Sequence, residues 1–164
     1  EGMNDKIYKL LPSVIIAITC ILLFCFFISF KCDSQSKSIL KLLYIFSHAN
    51  IFHLTLNLIA LFQFRPRFKT CIIGYISSVL AAFIPFSHLA VPTCGLSGFL
   101  MACYARRYYS YKLSPKWLIL SNVVLAFVPY VNWRIHLISF FIAYIIYGTI
   151  HRYTIYRRSK TNNS

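Results

Sequence analysis

From Leu11 to Phe30 the sequence runs for twenty residues without a charge. A helix needs about 20 apolar residues to cross the ~30 Å core of a bilayer. That stretch constrains the fold more than any other, because a soluble domain has few places to bury it. Further apolar blocks follow at Ile51–Phe64, Cys71–Phe86, Gly95–Ala105, Trp117–Val131 and Ile135–Ile150. Charged or turn-forming clusters separate them: Lys31–Lys41, Arg65–Lys69, Ser87–Cys94, Arg106–Pro115 and Asn132–Arg134. Pro66, Pro92 and Pro115 fall in these connections, where a missing N–H does little harm. Hydrophobic residues make up 59% of the chain and charged residues 12%, against roughly a quarter charged in a soluble domain. The expectation is an all-α, polytopic membrane protein with six spans, several of them short. The first span is too long for a signal-peptide core and lacks a small-x-small cleavage pattern.

Positive charge sets the expected topology. With the N-terminus inside, thirteen of the seventeen Lys and Arg residues fall on the inner side; Lys31, Lys37, Lys41 and Arg134 fall outside. Both termini are therefore expected in the cytoplasm of a multi-pass protein, with a bacterial inner membrane as its setting. The division is residues 1–10 as a cytoplasmic N-terminal segment, 11–151 as one membrane domain, and 152–164 as a basic cytoplasmic tail. The lipid bilayer is the first expected partner, because the formal +14 charge is accounted for by inner loops held against anionic lipid. Nucleic acid is not expected as a partner, since no aromatic and basic platform stands apart from the spans.

The acids exclude whole classes of chemistry. Only Glu1, Asp5 and Asp33 occur, so nothing beyond Asp33 can form a carboxylate pair, a two-metal site or an HExxH zinc site. The six cysteines show no CxxC spacing and read as small hydrophobes in or near the spans. Neither a metal nor a cofactor is expected.

Polar residues inside spans are costly and tend to be functional. Three groups stand out. His53 and Asn57 lie four apart and share one helix face, with His48 five residues earlier. Taken alone, His53 and Asn57 read first as hydrogen-bonding glue between helices. Gly95-Leu-Ser97-Gly98 opens the fourth block. Nine residues from Ser97 to Ala105 make about 13 Å of helix, so a helix starting at Ser97 puts the serine near mid-membrane depth. The free amides and dipole of that helix start suit an oxyanion, although a lone Gly-x-Ser-Gly also reads as a packing site. His136 opens the last span and alone reads as an interfacial histidine.

Together the three groups point to nucleophilic catalysis. A serine nucleophile needs a base within ~2.6–3.2 Å, so the fourth and last helices must touch closely. Small residues permit that approach. Gly98, Ala102 and Ala105 make a stripe below Ser97, and Ser139 and Ala143 make one below His136. With no acid to orient His136, the site is limited to a Ser–His dyad.

These residues resemble the rhomboid intramembrane serine proteases. The resemblance covers about His48 to Gly148. It rests on His48, His53 and Asn57 in the second span, Gly95, Ser97 and Gly98 opening the fourth, and His136 on the sixth. It implies a six-transmembrane-helix rhomboid-like bundle with a short central fourth helix. It further implies Ser97 as nucleophile, His136 as general base and acid, and an oxyanion hole from His53, Asn57 and the Ser97 amide. The implied substrates are single-span membrane proteins cut within or near the membrane on its outer side. Three features depart from the family. The loop Lys31–Ser47 has neither Trp nor Arg, Met101 stands where an aromatic residue often packs on the histidine, and Ser139 and Ala143 replace glycines. His88 and Pro92 belong either to a cap over the site or to an ordinary exposed loop. By family analogy, substrate enters past the fifth span and the loop Pro129–Arg134. The competing readings are a catalytically silent rhomboid-like binding protein, a transporter, and a sorting-type rhomboid that processes a C-terminal tail signal.

Overall fold

The computed structural model describes residues 3–88, 92–111, 116–125, 127 and 131–162. The described chain is helical: α1 Met3–Cys25, α2 Ser38–Leu43, α3 Ile51–Phe64, α4 Phe68–Phe83, α5 Ser97–Tyr111, α6 Lys116–Leu125 and α7 Trp133–Asn162. Short 3-10 turns lie at Tyr44–Phe46 and Pro85–Ser87. The described residues form no strand; Cys32 and Thr93 make one isolated antiparallel bridge. Helices α4, α5 and α7 pack against one another, α6 leans on α7, and α1 lies against α3 and α4.

By length and composition, one described helix can cross a membrane: the segment Trp133–Arg158 of α7. Ser38–Phe46 and Ile51–Phe64 pass the same test together but are bent by 75° at their break. Leu10–Cys25 and Phe68–Phe83 are apolar but shorter.

The helix ends differ from the apolar blocks in instructive ways. The first block continues to Phe30, yet α1 stops at Cys25. The amide of Ile28 donates to the Leu23 carbonyl at 2.9 Å and that of Phe27 to the Phe24 carbonyl at 3.1 Å, with Phe27 at φ 55°. This is a Schellman ending with phenylalanine in the left-handed place that glycine usually takes. The charged stretch after it contains an unexpected helix, α2, whose Lys41 is buried. Its ammonium donates to the Ser34 carbonyl at 3.0 Å and lies 5.4 Å from the Phe83 ring centre. At the other end of the chain, α7 runs through residues 151 and 152 without a break.

Two contacts set the depth of α5. A Cβ on Gly74 of α4 would sit 2.7 Å from the Cys103 sulfur and 3.2 Å from the Phe99 ring, so only glycine lets α4 and α5 approach this closely. Gly98 of α5 presents its bare face to Ser139, whose Oγ would lie 3.4 Å from an added Cβ. Ala102, Ala105 and Ala143 continue that seam with Phe140 and Leu118. Polar residues occupy the interior as well: Asn57, Ser77, Ser78, Asn132, His136 and Ser139 are all buried. Large apolar side chains face outward in helical stripes, such as Phe52, Leu56 and Ile59 on α3 and Phe141 and Ile145 on α7.

Candidate active site

Ser97 is the first residue of α5. The first intrahelical bond runs from the Leu100 amide to the Leu96 carbonyl, so the amides of Ser97, Gly98 and Phe99 carry the free donors of a helix start. The chain reaches this point through Gly95, whose φ of +113° suits glycine alone. The Gly95 amide donates to the Tyr44 carbonyl at 3.0 Å. Tyr44 is itself fixed, fully buried, with its hydroxyl donating to the Ser78 carbonyl at 3.0 Å.

His136 sits in the first turns of α7 and is 7% exposed. Its Nε2 lies 2.7 Å from Ser97 Oγ. That distance is within the reach a general base needs. Nδ1 is buried and has no protein partner. The Gly98–Ser139 seam lies one residue below the serine and three below the histidine, so the small-residue stripes and the dyad belong to one interface.

His53 lies directly over Gly95. A Cβ added to Gly95 would overlap the imidazole, with Nε2 only 2.7 Å away. Gly95 is thus required twice, by its backbone angle and by the ring above it. His53 is held from above by a helix cap, because its amide donates to Asn50 Oδ1 at 2.8 Å. His48 is 8% exposed and meets the His53 ring edge-on, with centres 5.2 Å apart. Asn57 is buried one turn deeper on α3 and uses one amide hydrogen on the His53 carbonyl at 2.9 Å. The structure therefore brings Ser97, His136, Gly95 and His53 into one constellation, with His48 behind His53 and Asn57 below it.

Two expected positions, Met101 and His88, read differently. Met101 is half-buried against the Ala102–Phe140 cluster, lower along the α5–α7 seam. His88 is neither an exposed loop residue nor free to cap the site. It is buried, and its Nε2 bonds the Ala82 carbonyl at 2.7 Å, closing the end of α4. Pro92 is exposed. Residues 89–91 and 128–130, from the cap segment and the entry loop, lie outside the described residues, as does Pro115.

Other residues packed around the site carry little or no local sequence signal. Gly74 has no local signal, since its role depends on what α5 places opposite it. Thr93 likewise gains meaning only from its bridge to Cys32. Asn132 did carry a signal: an asparagine just before an apolar helix is a cap. Its Oδ1 accepts from the Ile135 amide at 3.2 Å.

Outside the helices, Asp33 closes a small turn. The Ser36 hydroxyl at 2.8 Å and the Gln35 amide at 2.9 Å both donate to it. The Ser36 hydroxyl chiefly, with the turn amides, holds its carboxyl below the usual range.

Comparison with protein-family models, with curated proteins and with solved structures returned no match to this chain.

Proposed function

We propose that this chain is an intramembrane serine endopeptidase of the rhomboid type, a six-span membrane protein with both termini in the cytoplasm. The observation that carries the reading is the 2.7 Å contact between Ser97 Oγ and His136 Nε2 at the head of two closely packed helices. The buried polar interior and the outward apolar stripes support a bilayer as solvent. So does the continuous apolar length of α7.

In this mechanism Ser97 Oγ attacks a peptide carbonyl of a locally unwound substrate helix. His136 Nε2 takes the hydroxyl proton as the bond forms. The oxyanion is stabilised by the Ser97 amide, by the His53 ring and by the Asn57 amide hydrogen that the His53 carbonyl does not use. His136 then protonates the leaving amine, and water, activated by the same nitrogen, hydrolyses the acyl-enzyme. The substrates are single-span membrane proteins, cut near the outer side. Packing at Gly98–Ser139 and Asn132 takes over the orienting task that an acid performs in a triad.

Fluorophosphonate labelling of detergent-purified protein tests the reading. Wild type labels, while Ser97→Ala and His136→Ala do not. Equal labelling of the Ser97→Ala variant sinks the assignment, and a wild type inert both to the probe and to single-span substrates makes the chain a silent binding protein. In cleavage of a model single-span substrate, Asn57→Ala slows the rate about 100-fold; a change under twofold removes Asn57 from the oxyanion hole.

A further inference from the structure

A dyad without an acid still needs its histidine held still. Below the site the Gly98–Ser139 seam fixes the spacing of α5 and α7. Above it α5 has no further turn, since it starts at Ser97, and a different device ties α7 to the segment that precedes α5. Asn132 Nδ2 donates to Thr93 Oγ1 at 2.6 Å, while the same side chain caps α7 through the Ile135 amide. Thr93 is anchored in turn by a reciprocal backbone pair with Cys32, at 2.9 and 2.7 Å. All three residues are buried: Asn132 at 7%, Thr93 at 8% and Cys32 at 0% exposure.

The connectivity gives this small network its leverage. Thr93 stands two residues before Gly95 and four before Ser97, and Asn132 stands four before His136. On a helix a separation of four puts residues on one face, so Asn132 lies above His136 on α7. One hydrogen bond therefore ties the segment leading into the nucleophile to the cap leading into the base. We infer that Asn132 and Thr93 are positioning residues: a latch that holds His136 Nε2 on Ser97 Oγ from the outer end, as Gly98–Ser139 holds it from within. This rests on the dyad reading of the site.

Two roles of Asn132 must be separated, since a lost cap destabilises α7 whatever it does for catalysis. Asn132→Ser retains a capping oxygen but is too short to reach Thr93. Thr93→Val keeps the shape of threonine and removes the acceptor, whereas Thr93→Ser keeps it. The experiment measures kcat, KM, fluorophosphonate labelling rate and thermal midpoint for these three variants and for Asn132→Ser/Thr93→Val together.

Loss of the latch lowers kcat and labelling rate about tenfold or more in Asn132→Ser and in Thr93→Val, with KM within twofold. Thr93→Ser stays within about threefold of wild type. The double variant is no slower than the slower single one, because both lesions break the same bond. Wild-type kcat in Thr93→Val overturns the latch, as does a double variant whose losses multiply. A fall in activity that tracks only a fall in thermal midpoint, with Thr93→Ser no better than Thr93→Val, also overturns it. Ser97→Ala in the same series keeps the two readings apart. If it labels like wild type the dyad fails, whereas Ser97-dependent labelling at an unchanged rate in Thr93→Val removes the latch alone.

Discussion

Single residues do several jobs at once in this site, and Gly95 does the most. It turns the chain into α5 at a φ that suits glycine alone, and it makes room for His53. Gly95→Ala is expected to lower cleavage at least 100-fold, because relieving the overlap moves either the His53 ring or the Ser97 amide, each a proposed oxyanion donor. Cleavage within tenfold of wild type means the ring is not where catalysis needs it. Ser139 offers the opposite sign. Its buried hydroxyl has no protein partner, so Ser139→Ala removes a desolvated polar group and is expected to stabilise the fold by about 1 kcal/mol in thermal unfolding, with the dyad intact. Asp33 gives a pH handle away from the site. Its depressed carboxyl contributes stability above the ordinary carboxylate range, and that small contribution disappears as pH falls through the lowered value. Ser36→Ala should move the Asp33 titration, followed by NMR, back up toward an ordinary aspartate; an unmoved titration gives the turn no hold on it.

At the scale of elements, ends matter more than interiors. Asn50 caps α3 and so sets the height of His53. Asn50→Ala is expected to cost about 1 kcal/mol and to lower activity more than an equal loss of stability elsewhere, as comparison with an unrelated destabilised variant will show. The end of α1 makes a second case. Phe27 is 93% exposed and holds a left-handed backbone, so Phe27→Gly should stabilise by about 1 kcal/mol; a destabilised variant would mean that the phenylalanine ring anchors the turn. These ends also explain which parts of the fold were legible. The second apolar block matched α3 at both ends because Asn50 and the cluster at Arg65 mark it. The first block overran α1 because its stop is written in a phenylalanine, not a glycine or proline. Helix α2 hid among charges that normally signal a loop, and its buried lysine is held by the Ser34 carbonyl of the preceding loop and the distant Phe83 ring. Of the site, Ser97, His136, His53 and Gly98–Ser139 could be read from spacing and small residues. Thr93 and Gly74 could not, since each depends on a neighbour distant in sequence.

For the whole molecule, the uneven charge predicts orientation. Single cysteines introduced at Ser34 and Arg158 of a cysteine-free variant should label from the outer and inner faces respectively with a membrane-impermeant maleimide. Labelling of both from the same face overturns the six-span arrangement. Scale also bears on the long helix that carries His136. At ~1.5 Å per residue, α7 extends about 35 Å from Ser139 to Asn162 but only about 4.5 Å from Ser139 to His136. If the helix is rigid and pivots at its seam with Gly98, it is a lever with a very short working arm. Swaying its far end by 3 Å would displace the imidazole by about 0.4 Å, by proportion of those lengths. Such a fulcrum works as a reduction gear: jostling of the basic end reaches His136 Nε2 about eightfold smaller.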